Sequence, residues 1–191
     1  MGILQQRYLH LAWQAVERVE RLMSIGAGNR PLDLLTTFGG SYACVVGMRS
    51  REAGRGPQPM QEYIARRAAV AELRGCGNCG EQAAIAMVDL ARNHRLMPLE
   101  YMARTNADHA FVVIGRPRNS SLGDHTTWGE NCVICDPWAK DAFISSEIME
   151  RAYKPRPFFG VLSYFRVDVP HDPAGIFGSV PSTSSGTTSR W

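Results

Sequence analysis

The chain lacks the long apolar run that a membrane-spanning helix needs. None of its segments approaches the roughly 20 consecutive apolar residues that cross a bilayer, so stable membrane insertion is not expected. The opening segment, MGILQQRYLHLAW, has no basic stretch followed by an apolar core, so a Sec signal is not expected. The basic residues are scattered and the net charge is only +3, so nucleic acid is not an expected partner.

Cysteine is scarce and odd in number, which argues against a secreted scaffold held by disulfides. The 191 residues contain five cysteines. Hydrophobic residues make up 45% of the chain and charged residues 20%, which is the composition of a globular protein with a real core. The length is typical of one domain with additional segments.

The predicted elements change type at about residue 98. Apolar residues at helical spacing predict helices over 4–23, 60–73 and 81–94, while the short apolar run 43–46 fits either helix or strand. After Pro98 come short runs rich in β-branched and aromatic residues: LEYMART, HAFVVIGR, NCVICDPW, KDAFI and FGVLSYFRVDV. Helices followed by strands predict an α+β fold, with N-terminal helices packed on a C-terminal antiparallel sheet.

The chain divides into three predicted parts. We expect a helical N-terminal extension over 1–59, a catalytic core over 60–177 and a disordered Ser/Thr/Gly-rich tail over 178–191. A polar Gly/Pro loop is expected over 49–59. The adjacent Arg66 and Arg67 are expected on the solvated face of their helix.

The segment GCGNCG at 75–80 places Cys79 in a tight turn directly before a predicted helix. A thiol at a helix N-terminus lies near unpaired backbone N–H groups and the positive end of the dipole, which favours thiolate and lowers the pKa of the thiol. Gly80 allows the backbone to approach a substrate closely. Backbone N–H groups at this turn, or the Asn78 side chain, are candidate donors to an oxyanion.

Two later motifs supply partners for a cysteine nucleophile. His109 stands at the head of the apolar strand HAFVVIGR, and Asp136 ends the next strand in CVICDPW. A thiolate nucleophile needs a proton acceptor, and the imidazole needs a third group that fixes its tautomer. The order Cys79, His109, Asp136 along helix, strand and strand therefore predicts a catalytic triad.

These motifs resemble those of papain-like cysteine enzymes. CGNCGEQA is similar to the family's CGSCWAF segment, whose second cysteine is catalytic, and DHAFVVIGR is similar to the family's histidine strand. DPWA occupies the place of the family's NSWG, with Asp136 where the family uses Asn and Trp138 where its Trp shields the side chain. The stretch AELRGCG lacks the Gln that papain-like proteases carry before the nucleophile as an oxyanion donor, and Gly80 replaces an aromatic residue.

The resemblance implies a papain-like core and a cysteine hydrolase without a cofactor or metal. A Cys-His-Asp triad with DPW is closest to the transglutaminase-like and papain-fold toxin branches, which include bacterial effectors that deamidate glutamine in host proteins. The expected activity is therefore deamidation of a protein glutamine, with proteolysis by the same triad as the alternative. By the same resemblance, the expected setting is a toxin or virulence effector that reaches the cytoplasm of a host or target cell by a non-Sec route.

A zinc-binding interaction module is the remaining alternative. Cys76 and Cys79 form one CxxC pair and Cys132 and Cys135 a second, and four thiolates complete a tetrahedral zinc site. In a strand, however, positions three apart point to opposite faces, so the second pair is poorly placed to hold one ion. A disulfide such as Cys76 with Cys132 is an open alternative, because spacing does not determine connectivity.

Overall fold

The protein has the α+β fold that the order of its elements predicts. The computed structural model describes residues 2–53, 56–104, 108–148, 150–151 and 161–168. Its helices are α1 (Ile3–Leu22), α2 (Pro31–Thr36), α3 (Gly40–Glu52), α4 (Met60–Arg74) and α5 (Cys79–Arg92). None of the helices in this described part is long and apolar enough to span a bilayer.

The strands form a five-stranded antiparallel sheet. They are β1 (Leu99–Arg104), β2 (His109–Ile114), β3 (Val133–Asp136), β4 (Asp141–Ile144) and β5 (Val161–Val167), in the spatial order β4-β3-β2-β1-β5. Strand β2 is therefore central and pairs with β3 so that Val112 lies opposite Cys135. Because the two strands are antiparallel, the first residue of β2, His109, and the last residue of β3, Asp136, lie at the same end of the sheet.

Helix α5 is the central helix of the molecule. Every residue from Cys79 to Ala91 is buried, so the helix has no solvated face. A helix enclosed on all sides is packed by apolar or small residues around its circumference, and the sequence AAIAMVDLA supplies them. The first turn of α5 is thereby held in a fixed position relative to the sheet.

The two faces of the sheet carry separate apolar clusters. Alternate residues of β2 divide between them: Val112 and Ile114 pack with the helices, while Phe111 and Val113 pack on the opposite face with Trp128. The helix-side cluster contains side chains from α1, α4 and α5 together. Apolar side chains therefore cover both faces of the sheet, and this packing positions the residues at the ends of its inner strands.

Helix α1 shares the core of the remaining chain. Its buried side chains, among them Ala12, Val16 and Val19, belong to the same apolar cluster as α5 and the sheet. The boundary predicted at residue 59 stays a prediction, but residues on both sides of it pack in one cluster. The predicted tail 178–191 lies outside the described residues, as does 169–177 of the predicted core.

Two local predictions need correction. The run 43–46 is helical and belongs to α3, which extends through Glu52 into the predicted loop. Directly after β4, a 3₁₀ turn forms at Ser145–Glu147. Arg67 is not on a solvated face, because its side chain is only 23% exposed and pairs with a buried carboxylate.

Candidate active site

Asn78 and Glu81 form a capping box that fixes the first turn of α5. The Asn78 side chain accepts a bond from the N3 backbone, while Glu81 Oε2 accepts one from the Asn78 backbone N–H at 2.9 Å. Asn78 Oδ1 also accepts a bond from the Gly28 N–H at 2.8 Å. The oxygen of the predicted oxyanion residue Asn78 therefore holds the turn in place, and any oxyanion bond from its amide nitrogen stays a prediction.

Two glycines of the GCGNCG turn lie so close to neighbouring side chains that a Cβ atom would clash with them. A Cβ on Gly77 would lie 2.5 Å from Glu81 Cβ, and one on Gly80 would lie 2.7 Å from Arg67 Nη2. Contacts this short are not tolerated, so a side chain at either position would displace its neighbour. The Arg67 guanidinium, which is held by Glu81, thus occupies the space that a side chain at position 80 would need.

The structure brings Cys79, His109 and Asp136 together. His109 Nε2 lies 2.6 Å from Asp136 Oδ2, and Asp136 is fully buried. Asp136 Oδ1 also accepts a bond from the Ala139 N–H at 3.1 Å, which orients the carboxylate. Because Nε2 is engaged by Asp136, Nδ1 is left for the hydrogen bond that the ring shares with Cys79.

The surroundings of His109 favour its charged form. Burial opposes the charge, but hydrogen bonds and charge interactions with Asp136 and Cys79 outweigh it and raise the pKa of His109 to about 9. An imidazolium is therefore the dominant form at neutral pH. Cys79 itself is 5% exposed and its Sγ lies 3.6 Å from the Asp108 carbonyl oxygen, so the sulfur is held at a defined place in the cavity wall.

Trp138 covers one side of the histidine. Its ring meets the His109 ring edge-on, with centroids 5.4 Å apart. The Trp138 indole N–H donates to Asn29 Oδ1 at 2.9 Å, and the Arg30 guanidinium lies 5.5 Å from the ring centroid. Residues of the predicted N-terminal extension therefore fix the indole that shields the His109–Asp136 pair.

Glu81 links two further arginines to the start of α5. Its carboxylate is buried and accepts bonds from Arg49 (Nε to Oε1, 3.1 Å) and Arg67 (Nη2 to Oε1, 2.8 Å). Burial opposes the charge of Glu81, but the hydrogen bonds and positive charges of Arg49 and Arg67 lower the pKa of the carboxyl below its ordinary value. The pair ties α3 and α4 to the residue that caps the nucleophile helix.

A cavity of about 310 Å³ opens onto the triad. Cys79 and His109 line it together with Arg49, Arg67 and Arg104. A larger cavity of about 760 Å³ adjoins it and shares the wall formed by Met60, Tyr63 and the first two arginines. This gives the thiol a solvent-connected cleft that is large enough for an inserted side chain.

The cysteines do not form the four-thiolate arrangement of the zinc alternative. Cys76 is joined to Cys44 in a disulfide, so the suggested pairing of Cys76 with Cys132 is wrong. Cys135 packs in the helix-side cluster and Cys132 in the cluster on the other face, as strand alternation predicts. Among the described residues, no group of three or more His, Cys, Asp and Glu side chains is placed to hold a metal ion.

Burial makes the two unpaired strand cysteines poor nucleophiles. It raises the pKa of Cys132 to about 12, and it also raises the pKa of Cys135. The Cys135 thiol also donates to the Ala12 carbonyl oxygen at 3.5 Å. These two thiols are therefore core side chains rather than reactive groups.

Sequence reasoning missed three contributors to the site. Arg49, Arg67 and Tyr101 all line the triad cavity, and the Tyr101 hydroxyl donates to the Gly80 carbonyl oxygen at 3.0 Å. The N-C-G-E spacing from Asn78 to Glu81 was a readable capping signal. The arginines carry no local signal, because their carboxylate partner is 32 and 14 residues away along the chain.

Comparison with known proteins gives no family assignment. No protein-family model matches the chain, and no curated protein matches it at a significant level of similarity. The fold and the site geometry are therefore the basis on which a function can be argued.

Proposed function

We propose that the protein is a cysteine hydrolase that deamidates a glutamine side chain of a protein, with Cys79 as nucleophile. The observation that carries the proposal is the shared contact of His109, whose ring bonds both Cys79 and the buried Asp136. The papain-like resemblance of the three motifs supports the same assignment. It further supports a core of papain-like topology, in which the nucleophile begins a helix and the histidine begins a strand.

The first half of the reaction is attack on the carboxamide carbon. The Cys79 thiolate, stabilised by the His109 imidazolium, forms a C–S bond while the carbonyl π electrons move to the oxygen. The N–H groups of Cys79 and Gly80 lie in the first turn of α5, where they have no intrahelical acceptor, and they are the proposed oxyanion donors. Collapse of the intermediate expels ammonia with the proton from His109 and leaves a thioester.

The second half returns the enzyme to its starting state. His109, now neutral, takes a proton from water, whose oxygen attacks the thioester carbon. Collapse breaks the C–S bond and releases glutamate and the Cys79 thiolate, while His109 keeps the proton. Asp136 orients the ring through Nε2 and stabilises each imidazolium stage, since its carboxyl group is buried and bonded to the ring.

The resemblance also supplies the proposed setting. Its toxin and effector branches act on proteins of another cell, so we infer a host or rival-cell protein as the substrate and delivery into that cytoplasm by a non-Sec route. This part of the proposal depends on family analogy and not on the site.

Intact-mass analysis tests the reaction. Candidate substrate proteins are incubated with the wild-type protein and with Cys79→Ala, and the proposal predicts a gain of about one dalton per site with the wild type alone, because an amide NH₂ becomes OH. Cys132→Ala is the matched control, since that thiol is buried on the far face of the sheet, and it should retain the activity.

Two other outcomes would change the assignment. Fragments in place of the one-dalton gain would make the protein a protease with the same triad, because an amine would then leave from a peptide bond. Full activity in Cys79→Ala would exclude the cysteine mechanism altogether and favour a non-catalytic role for the cleft.

A further inference from the structure

The wall of the triad cavity is positively charged. Arg49, Arg67 and Arg104 line it, while Asp108 is the acidic residue that lines it with them and Glu81 lies behind the wall at 2% exposure. Three positively charged side chains therefore line the wall against one negatively charged side chain, Asp108. Two of the arginines come from helices and the third from β1, so the charge is built by three separate elements.

Arg49 retains hydrogen-bonding capacity toward the cavity. Its Nε and Nη2 donate to Glu81, but a guanidinium has five N–H donors, and within the described residues Nη1 makes no bond. The Arg49 side chain is 47% exposed and lines the cavity, so it is accessible to a bound molecule. Arg104 adds charge beside His109, because the two residues pair across β1 and β2 and both line the cavity.

We propose that the cavity selects substrates that carry a carboxylate beside the reacting carbonyl, as an Asp or Glu neighbour of the modified glutamine would supply. This specificity rests on the proposed function, since it names the substrate class of that same site. The carboxylate meets Arg49 Nη1 and the charge of Arg104, while the amide enters between Cys79 and His109. Charge-assisted bonds of this kind are among the stronger hydrogen bonds in proteins.

Paired alkylating reagents test the charge without a known substrate. Iodoacetate and iodoacetamide both react by attack of the Cys79 sulfur on the CH₂ carbon, with formation of C–S and loss of iodide, and they differ in the carboxylate. The ratio of their rate constants at Cys79 should exceed the ratio for free cysteine by roughly tenfold, as one charge-assisted contact implies. The excess should shrink at about 0.5 M salt.

Variants test whether the arginines cause the raised iodoacetate-to-iodoacetamide rate ratio at Cys79. Arg49→Gln and Arg104→Gln should each lower the iodoacetate-to-iodoacetamide ratio, and the double variant should lower it further. Arg51→Gln, an exposed arginine of α3 that lines neither cavity, should leave the ratio unchanged. Loosening of the site would slow both reagents alike, so the ratio separates a charge effect from a folding defect. A ratio equal to that of free cysteine, or one unchanged in the double variant, overturns the inference.

Peptide turnover separates this inference from the proposed function. Two peptides that differ only in Glu or Ala beside one glutamine are compared by ammonia release, and kcat/KM should be roughly tenfold higher for the Glu peptide. Equal turnover of both peptides overturns the carboxylate preference and leaves the deamidase. A raised alkylation ratio with no ammonia from either peptide supports the preference and counts against deamidation.

Discussion

The imidazole of His109 bonds the carboxylate of Asp136 through Nε2, at 2.6 Å, and not through Nδ1. The ring therefore presents Nδ1 to Cys79, and the carboxylate determines which nitrogen is available to the thiol. Asp136 is fully buried, and the ring of Trp138 limits access of water to the pair. This relationship leads to the first two predictions.

Replacement of Asp136 should show whether its charge or its hydrogen bond matters more. Asp136→Asn can still accept a bond from the ring and fix its tautomer, so we expect a loss in kcat of about tenfold, the cost of one lost charge interaction. Asp136→Ala removes the hydrogen-bond partner that orients the ring and should lower kcat by about 100-fold or more. Steady-state kinetics on the two variants checks this order, and equal losses would contradict the orienting role.

The pH dependence should follow the raised pKa of His109. In the proposed mechanism the imidazolium is the active partner of the thiolate, so activity should be retained at neutral pH and lost as pH rises through about 9. NMR titration of the His109 ring should give the same midpoint. In Cys79→Ala the pKa of His109 should fall, because the hydrogen bond and the charge of the thiolate are removed; an unchanged midpoint would mean that the two groups do not interact.

Glu81 should matter for stability through its two arginines. Glu81→Ala removes the carboxylate from Arg49 and Arg67 and breaks the capping box, so we expect a loss of about 3 kcal/mol in the free energy of unfolding. Glu81→Gln keeps an acceptor at N3 and should be milder. Urea denaturation gives the free energy of unfolding of both variants. A loss within about 0.5 kcal/mol for Glu81→Ala, as for an ordinary surface substitution, would contradict this role of Glu81.

The same carboxylate predicts an acid limit on stability. Its pKa is lowered in the folded protein below the ordinary value of 4.5, so its stabilising contribution is present above about pH 4.5 and disappears as pH falls through the folded value. Wild-type protein should therefore lose more stability on acidification than Glu81→Gln, which has no proton to gain. The free energy of unfolding is measured for both proteins as pH is lowered. An equal loss in the two proteins would refute this prediction.

The disulfide and the buried thiols predict a single reactive cysteine. Without reductant, Cys44 and Cys76 are paired, and burial suppresses Cys132 and Cys135. Native protein should therefore take up one equivalent of iodoacetamide, at Cys79, and peptide mapping should show it. Cys76→Ser would free Cys44 and add a second label; labelling of three or more residues in the native wild type would contradict the cysteine assignments.

The sequence predicted the elements that have strong local patterns. Helix α5 and strands β2 and β3 follow from helical spacing and from apolar runs, and the motif residues at their ends then meet because antiparallel pairing brings those ends together. The fold class is confirmed for this reason. The papain-like identity and the catalytic roles remain predictions.

Pairings between distant segments could not be predicted. The disulfide joins Cys44 to Cys76 across 32 residues, and Cys44 lies in an apolar run that fits either helix or strand. The contacts of Arg49 and Arg67 with Glu81 likewise depend on how α3 and α4 pack against α5. Local propensity has no information on such packing, so a solvated face was the wrong prediction for Arg67.

The most direct test of the account is the rate of Cys79 alkylation by iodoacetamide at about pH 6, compared in wild type and His109→Ala. At this pH an unpaired thiol is almost fully protonated and unreactive. If the His109 imidazolium holds Cys79 as thiolate, the wild-type residue should react at least about tenfold faster than the same residue in His109→Ala. Equal rates in the two proteins, with Cys79 no faster than free cysteine, would contradict the claim that these residues form a catalytic pair.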